Sequence, residues 1–222
     1  MIKIGIIDSG IEPNYMSQLN NVSALKLSKD NLGQILIDHV DISDKNGHGN
    51  VCFQLISSVV PEANYLIIKV FEERLVTELD ILETAIRICI NDKVDIINIS
   101  AGLTSETIPH SLKMICDEAF RKGILIVAAK NNEGSRSYPA NYEKVLSVEL
   151  ENDNITASYG VKNSKKNDLF ISGNYLSKEC KTICTSFACA KMTGIISKLL
   201  INKGRLSLGN LNKELIINGS NN

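Results

Sequence analysis

Five short apolar runs rich in β-branched residues recur along the chain: Ile2 to Asp8, Tyr65 to Phe71, Val94 to Ser100, Ile124 to Lys130 and Val145 to Glu151. A strand with one wet face alternates apolar and polar residues. These runs are nearly continuous, which predicts strands buried on both faces. Between them the spacing becomes helical. Leu79, Leu82, Ala85, Ile86 and Cys89 share one face, as do Ile108, Leu112, Ile115, Cys116, Ala119 and Phe120, the latter segment closing at Gly123 in a C-terminal cap position. A further helix is predicted over Ser186 to Leu200, through Ala190, Met192, Ile195, Ile196 and Leu199. Strand and helix alternate, so the crossovers are right-handed and the expected fold is α/β: a doubly wound, mostly parallel sheet with helices on both faces.

Two stretches break the rhythm. Glu151 to Cys184 is rich in Asn, Lys, Ser and Gly, and is expected to form surface loops around one short strand at Asp168 to Gly173. The tail from Gly204 is polar and Asn-rich, with little beyond a short terminal element expected. No internal repeat or long linker divides the chain, so its 222 residues are read as a single domain, with the motif-bearing core at about residues 2–202 and the tail at 204–222.

Charge and composition narrow the function. With 24 basic and 25 acidic residues the formal charge is -1, and no global field favours a nucleic acid or an anionic membrane. No apolar run approaches the roughly 18 residues of a membrane span. Neither nucleic acid nor membrane is expected as a partner. The chain has no Trp, so its core must be built mainly from Ile, Leu, Val and Ala. Its start lacks a charged region followed by a long apolar one, so no secretory signal is read there. Six cysteines (Cys52, Cys89, Cys116, Cys180, Cys184, Cys189) show no Cys-x-x-Cys spacing and are expected to be thiols in a reducing cytoplasm.

In open α/β sheets ligands collect beyond the carboxyl ends of the strands. Asp8 ends the first apolar run and is followed by Ser9-Gly10. His48 lies in Asn46-Gly47-His48-Gly49-Asn50 and opens a predicted helix. Ser186 follows Cys184-Thr185 and opens another. A carboxylate, an imidazole and a hydroxyl, each at an element terminus, are the parts of a nucleophilic triad. Each also has a plainer reading, as a turn Asp, a surface-loop His or an N-cap Ser.

Taken together these blocks resemble the subtilisin-like serine peptidases, the subtilases. Ile6-Ile7-Asp8-Ser9-Gly10-Ile11 is similar to the family's D-[ST]-G segment, and His48-Gly49-Asn50 to its H-G-T motif. Cys184-Thr185-Ser186-Phe187-Ala188 is similar to G-T-S-x-A, with Gly194 downstream. The order Asp, His, Ser is that of the family. The resemblance implies Asp8, His48 and Ser186 as the triad and Asn132 as the side-chain donor of the oxyanion hole, with Asn131 the competing assignment. It implies that Ser100-Ala101-Gly102 receives an extended peptide substrate as an added strand. Asn131, Glu133, Gly134 and Ser137 are implied to line the pocket for the residue before the scissile bond. Glu133 and Ser137 suggest a polar, restricted pocket taking a basic or polar side chain. Tyr138-Pro139-Ala140 is a further family marker.

The chain departs from the family at Cys184 for Gly, Ala190 for Pro and Asn50 for Thr. Cys184 is read as a small residue tolerated in a tight turn, or as an oxidisable thiol near the site, and not as the nucleophile. The rival to a peptidase is a catalytically impaired peptide-binding module on the same fold. The Asp block lies close behind Met1, which suggests a compact form lacking a prodomain, and hence a cytoplasmic endopeptidase processing a narrow set of peptide or precursor substrates. No cofactor is expected. Calcium is common in the family, but no acidic loop has ligand spacing, and Asp38, Asp41 and Asp44 are read as solvated or capping residues.

Overall fold

Each of the five apolar runs contributes a strand. The computed structural model describes residues 1–17, 19, 21–100, 102–132, 135–151, 158–172 and 185–219. In chain order the elements are β1 (Lys3–Asp8), the single turn α1 (Pro13–Met16), β2 (Val22–Lys29), β3 (Ile35–Asp38), α2 (His48–Ser57), β4 (Asn64–Lys69), α3 (Leu79–Asn91), β5 (Ile96–Ile99) and β6 (Leu103–Thr104). There follow α4 (His110–Arg121), β7 (Leu125–Ala129), β8 (Ser137–Tyr138), β9 (Leu146–Glu151), β10 (Tyr159–Asn163), β11 (Asp168–Ser172), α5 (Thr185–Lys203) and α6 (Leu208–Gly219).

Nine strands form one sheet in the order β10-β11-β9-β7-β5-β1-β4-β2-β3. All pairings within it are parallel except the two outermost, β2 with β3 and β10 with β11. The fold is thus α/β with a mostly parallel sheet, as the alternation of runs implies. One face packs Cys52, Phe53 and Ile56 of α2, Met192 and Ile196 of α5, and Leu211 and Leu215 of α6. The other packs Ile81, Leu82, Ala85 and Ile86 of α3 against Leu112, Ile115 and Ala119 of α4. The inner strands are sandwiched between these two apolar layers, which is why they show no polar alternation.

Three segments differ from the sequence expectation. Residues 22–38 form an antiparallel hairpin, turned at Asp30, whose Oδ1 accepts the N–H groups of Leu32 and Gln34, each at 2.8 Å. Its strands are only partly buried, so they lack the continuous apolar signal of the inner ones. The Glu151–Cys184 stretch holds β10 as well as the expected β11, the pair forming the opposite antiparallel edge. The tail carries a 12-residue helix, α6, which buries Leu211 and Leu215, one turn apart, together with Asn212 and Gly219. Among the described residues no helix is long and apolar enough to cross a membrane.

The winding reverses at β1. From it the chain builds β2 and β4 on one side, then crosses to β5, β7 and β9 on the other. The carboxyl end of β1, where Asp8 sits, is therefore the topological switch point, the position at which such sheets open a crevice.

Candidate active site

Asp8 is wholly buried at the end of β1, and its Oδ1 accepts the N–H of Ser9 at 2.8 Å. His48 is the first residue of α2, and its Nδ1 lies 2.7 Å from the same Oδ1. Two glycines permit this approach. A Cβ on Gly49 would lie 2.4 Å from the carbonyl oxygen of Gly10, and Gly10 itself, at φ +113°, runs against the carbonyl of Ile42. Burial pushes the Asp8 carboxyl up, but the His48 charge and hydrogen bond and the Ser9 N–H reverse this and hold it below its ordinary value of 3.8.

The loop leading into α2 is organised by Asp44. Its Oδ1 accepts the Ser9 hydroxyl at 2.8 Å and the N–H groups of Asn46 and Gly47 at 3.2 and 2.9 Å. Its Oδ2 accepts the Asn50 N–H at 2.8 Å. Ser9 Oγ in turn accepts the Gly49 N–H at 2.9 Å. Of the two readings the sequence left for Asp44, solvated or capping, the buried cap is the one found. Behind it Lys69, 1% exposed and paired in register with Asp8, donates to the Ser43 carbonyl at 2.8 Å and lies 3.3 Å from Glu72. Sequence reasoning passed over Lys69. The available signal was a lone lysine inside the otherwise apolar run Tyr65 to Phe71.

Ser186 stands in the first turn of α5, 5% exposed, and its hydroxyl donates to the Ser100 carbonyl at 2.6 Å. The neighbouring Phe187 ring stacks on the His48 imidazole with centroids 5.3 Å apart, so α5 begins directly against α2. The start of α5 is also tied to the loop after β7. The Thr185 N–H donates to Asn132 Oδ1 at 3.1 Å and its hydroxyl to the Lys130 carbonyl at 2.7 Å. Lys130 Nζ is held by Glu149 at 3.1 Å and Asp168 at 3.2 Å. With its oxygen committed to Thr185, the NH2 of Asn132 is the half of the amide suited to a ligand.

The structure brings Asp8, His48, Ser186, Ser100 and Asn132 to one edge of the sheet. Gly102 and Ser137 meet through the antiparallel pairing of β6 with β8, and a Cβ on Gly102 would lie 3.2 Å from that of Ser137. Asn131 Nδ2 reaches Thr104 Oγ1 at 3.5 Å in the same wall. Ser100 itself is buried, and its carbonyl accepts the Ser186 hydroxyl. Ala101, Glu133, Gly134 and Cys184 lie outside the described residues. Of the departures, Ala190 is fully buried in an α5 that runs on without a break, and Asn50 Oδ1 accepts the Glu12 N–H at 2.9 Å.

Cys52, one turn beyond His48, was not singled out by sequence as part of the site. Its Sγ lies 3.3 Å from Ser100 Oγ and 3.8 Å from His48 Nδ1. Burial and the nearby Asp8 charge push its thiol up to about 11, so it is protonated at neutral pH. Asp8, His48 and Cys52 are the group of metal-ligating side chains found together among the described residues, with ligand atoms within 4.8 Å of one another. Those atoms already engage one another through the hydrogen bond and the neutral thiol.

Solved structures share this fold. The fold resembles a cold adapted subtilisin-like serine proteinase, with a TM-score of 0.70 at 18% identity over 96% of this chain and 80% of that one. It also resembles the prenylagaramide maturation protease PagA, at 0.67 and 20% identity over 92% and 77%. The chain belongs to the subtilase family, peptidase family S8, whose model matches residues 1–218. It is 32% identical over 164 residues to the major intracellular serine protease of Bacillus subtilis (strain 168), covering 66% of this chain and 50% of that protein. It spans 24% to 56% of the length of the first curated relatives that it matches.

Proposed function

We propose that the chain is a serine endopeptidase in which Ser186 is the nucleophile, His48 the general base and acid, Asp8 the orienting carboxylate and Asn132 an oxyanion donor. The observation that carries this reading is the 2.7 Å contact between His48 Nδ1 and Asp8 Oδ1. A carboxylate at Nδ1 keeps the proton on that nitrogen and leaves Nε2 as the base. Family membership and the place of Ser186 at the start of α5 support the rest.

The substrate backbone lies beside Ser100–Gly102 as an added strand. Attack requires Ser186 to turn its hydroxyl proton from the Ser100 carbonyl to His48 Nε2. Ser186 Oγ then bonds to the scissile carbonyl carbon, and the oxyanion is met by the Ser186 N–H in the first turn of α5 and by the Asn132 NH2. His48 gives its proton to the leaving amine, and water, activated by the same imidazole, hydrolyses the acyl-enzyme. Substrates are a narrow set of peptides or precursors inside the cell. The support is likeness to one protein named for an intracellular location and another named for a maturation step. Ser137, buried where β6 meets β8, narrows the pocket before the scissile bond.

A fluorophosphonate probe tests the chemistry. Labelling at Ser186 in the wild type and none in Ser186→Ala is the expected result. Folded wild-type protein that takes no label overturns the proposal. A peptide-library profile dominated by large apolar residues before the cleaved bond overturns the narrow, polar pocket alone.

A further inference from the structure

Asn98 lies on β5, the strand beside β1, with none of its surface exposed. Its neighbours Ile96, Ile97 and Ile99 are all buried isoleucines, so packing the sheet does not call for an amide here. A buried amide needs partners for both its donor and its acceptor, and those of Asn98 come from two sides. Its Oδ1 accepts from Thr193 Oγ1 at 2.9 Å and Cys189 Sγ at 3.4 Å, both on the inner face of α5, the helix whose first turn carries Ser186. The Thr193 hydroxyl lies between Asn98 Oδ1 and the Cys189 carbonyl, 3.0 Å away. Its Nδ2 donates to Ser100 Oγ at 2.6 Å.

This last contact has a direction. An NH2 group only donates, so the Ser100 oxygen accepts from Asn98 and its own proton turns the other way, towards Cys52 Sγ at 3.3 Å. Cys52 belongs to α2, one turn beyond His48. The chain Thr193, Asn98, Ser100, Cys52 therefore runs donor to acceptor without reversal, from the helix of the nucleophile to the helix of the base. It passes through the residue whose carbonyl holds the Ser186 hydroxyl.

We propose that Asn98 is a positioning residue for the Ser186 and His48 pair: through Thr193 on one side and Ser100 on the other, it sets α5 against β5 and α2 at the offset where the nucleophile meets its base. The inference rests on the peptidase reading above. Asn98 does not touch the substrate. Its effect is on the alignment of groups that do, where a displacement near 1 Å costs about 10²-fold.

The test uses the full chain, a chromogenic peptide substrate and active sites counted by fluorophosphonate labelling, so that kcat is read per competent site. Asn98→Leu and Thr193→Val, which keep shape and remove hydrogen bonds, are expected to lower kcat about 10- to 100-fold with KM within about threefold. Thr193→Ser, which keeps the hydroxyl, is expected to stay within about threefold of wild type. Leu211→Ala in α6 serves as the control, lowering the melting temperature without changing kcat per labelled site. The proposal is overturned if Thr193→Val turns over at the wild-type rate per labelled site, or if Thr193→Ser is as slow as Thr193→Val. Should Asn98→Leu not fold, the Thr193 pair decides. A wild type that takes no label overturns the peptidase reading, and this inference with it.

Discussion

His48 Nδ1 stands 2.7 Å from Asp8 Oδ1, and the imidazole is capped by the Phe187 ring at 5.3 Å. The aspartate is wholly buried, yet the histidine and its other hydrogen bonds hold its carboxyl below 3.8. A depressed carboxyl stabilises the fold above the unfolded pKa, and that contribution is lost as the pH falls through the folded value. Urea unfolding of wild type and Asp8→Asn across pH 2.5 to 7 is therefore expected to show a stability difference that grows from the lowest pH to about pH 5 and then levels off. A difference that shrinks over that range contradicts the arrangement. At neutral pH the same variant is expected to lose about 10⁴-fold in kcat while remaining folded, since an amide holds the wrong tautomer.

Asp44 carries the entry into α2. Asp44→Ala orphans three backbone N–H groups and the Ser9 hydroxyl in a partly buried loop. The expected cost is about 3 kcal/mol in urea unfolding, accompanied by at least a tenfold loss in kcat, because the helix bearing His48 loses its anchor. A variant as stable and active as wild type shows that the loop is held elsewhere.

Asn132 is tied by its oxygen to the N–H of Thr185. Asn132→Leu removes the amide donor and is expected to lower kcat by about 10²–10³ with little change in KM, the signature of a contact made in the transition state alone. A rise in KM at constant kcat instead assigns this residue to ground-state binding.

Cys52 is buried, with its thiol pushed up to about 11, and Cys116 is similarly raised to about 12. At pH 8 the Cys52 thiolate fraction is then on the order of one in a thousand. Iodoacetamide at that pH, read out by peptide mass spectrometry, is expected to leave both residues unmodified in the folded protein and to alkylate both in urea. Rapid native alkylation of Cys52 means that its pocket opens.

The inner strands were legible because burial on both faces leaves unbroken apolar runs. The hairpin over residues 22–38, β10 and α6 were not, because partly wet elements mix polar residues into the pattern. Asp8, His48 and Ser186 stood out through glycine-flanked or helix-opening motifs. Asp44 was read as solvated or capping, and only its burial chose the cap; Lys69, inside an apolar run, was passed over.

The sequence by itself determined the class of sheet, the helices that cover it and the three termini at which an acid, an imidazole and a hydroxyl stand. Local period and turn chemistry encode these things, and both are written in neighbouring residues. Only the tertiary structure decided which groups meet. Asp8 and His48 are 40 residues apart, Ser100 and Ser186 are 86, and Asn98 and Thr193 are 95. Contacts over such separations are set by how the layers close on one another. The buried amide of Asn98 and the thiol of Cys52, unremarkable in the chain, acquire their meaning from the helices packed against them.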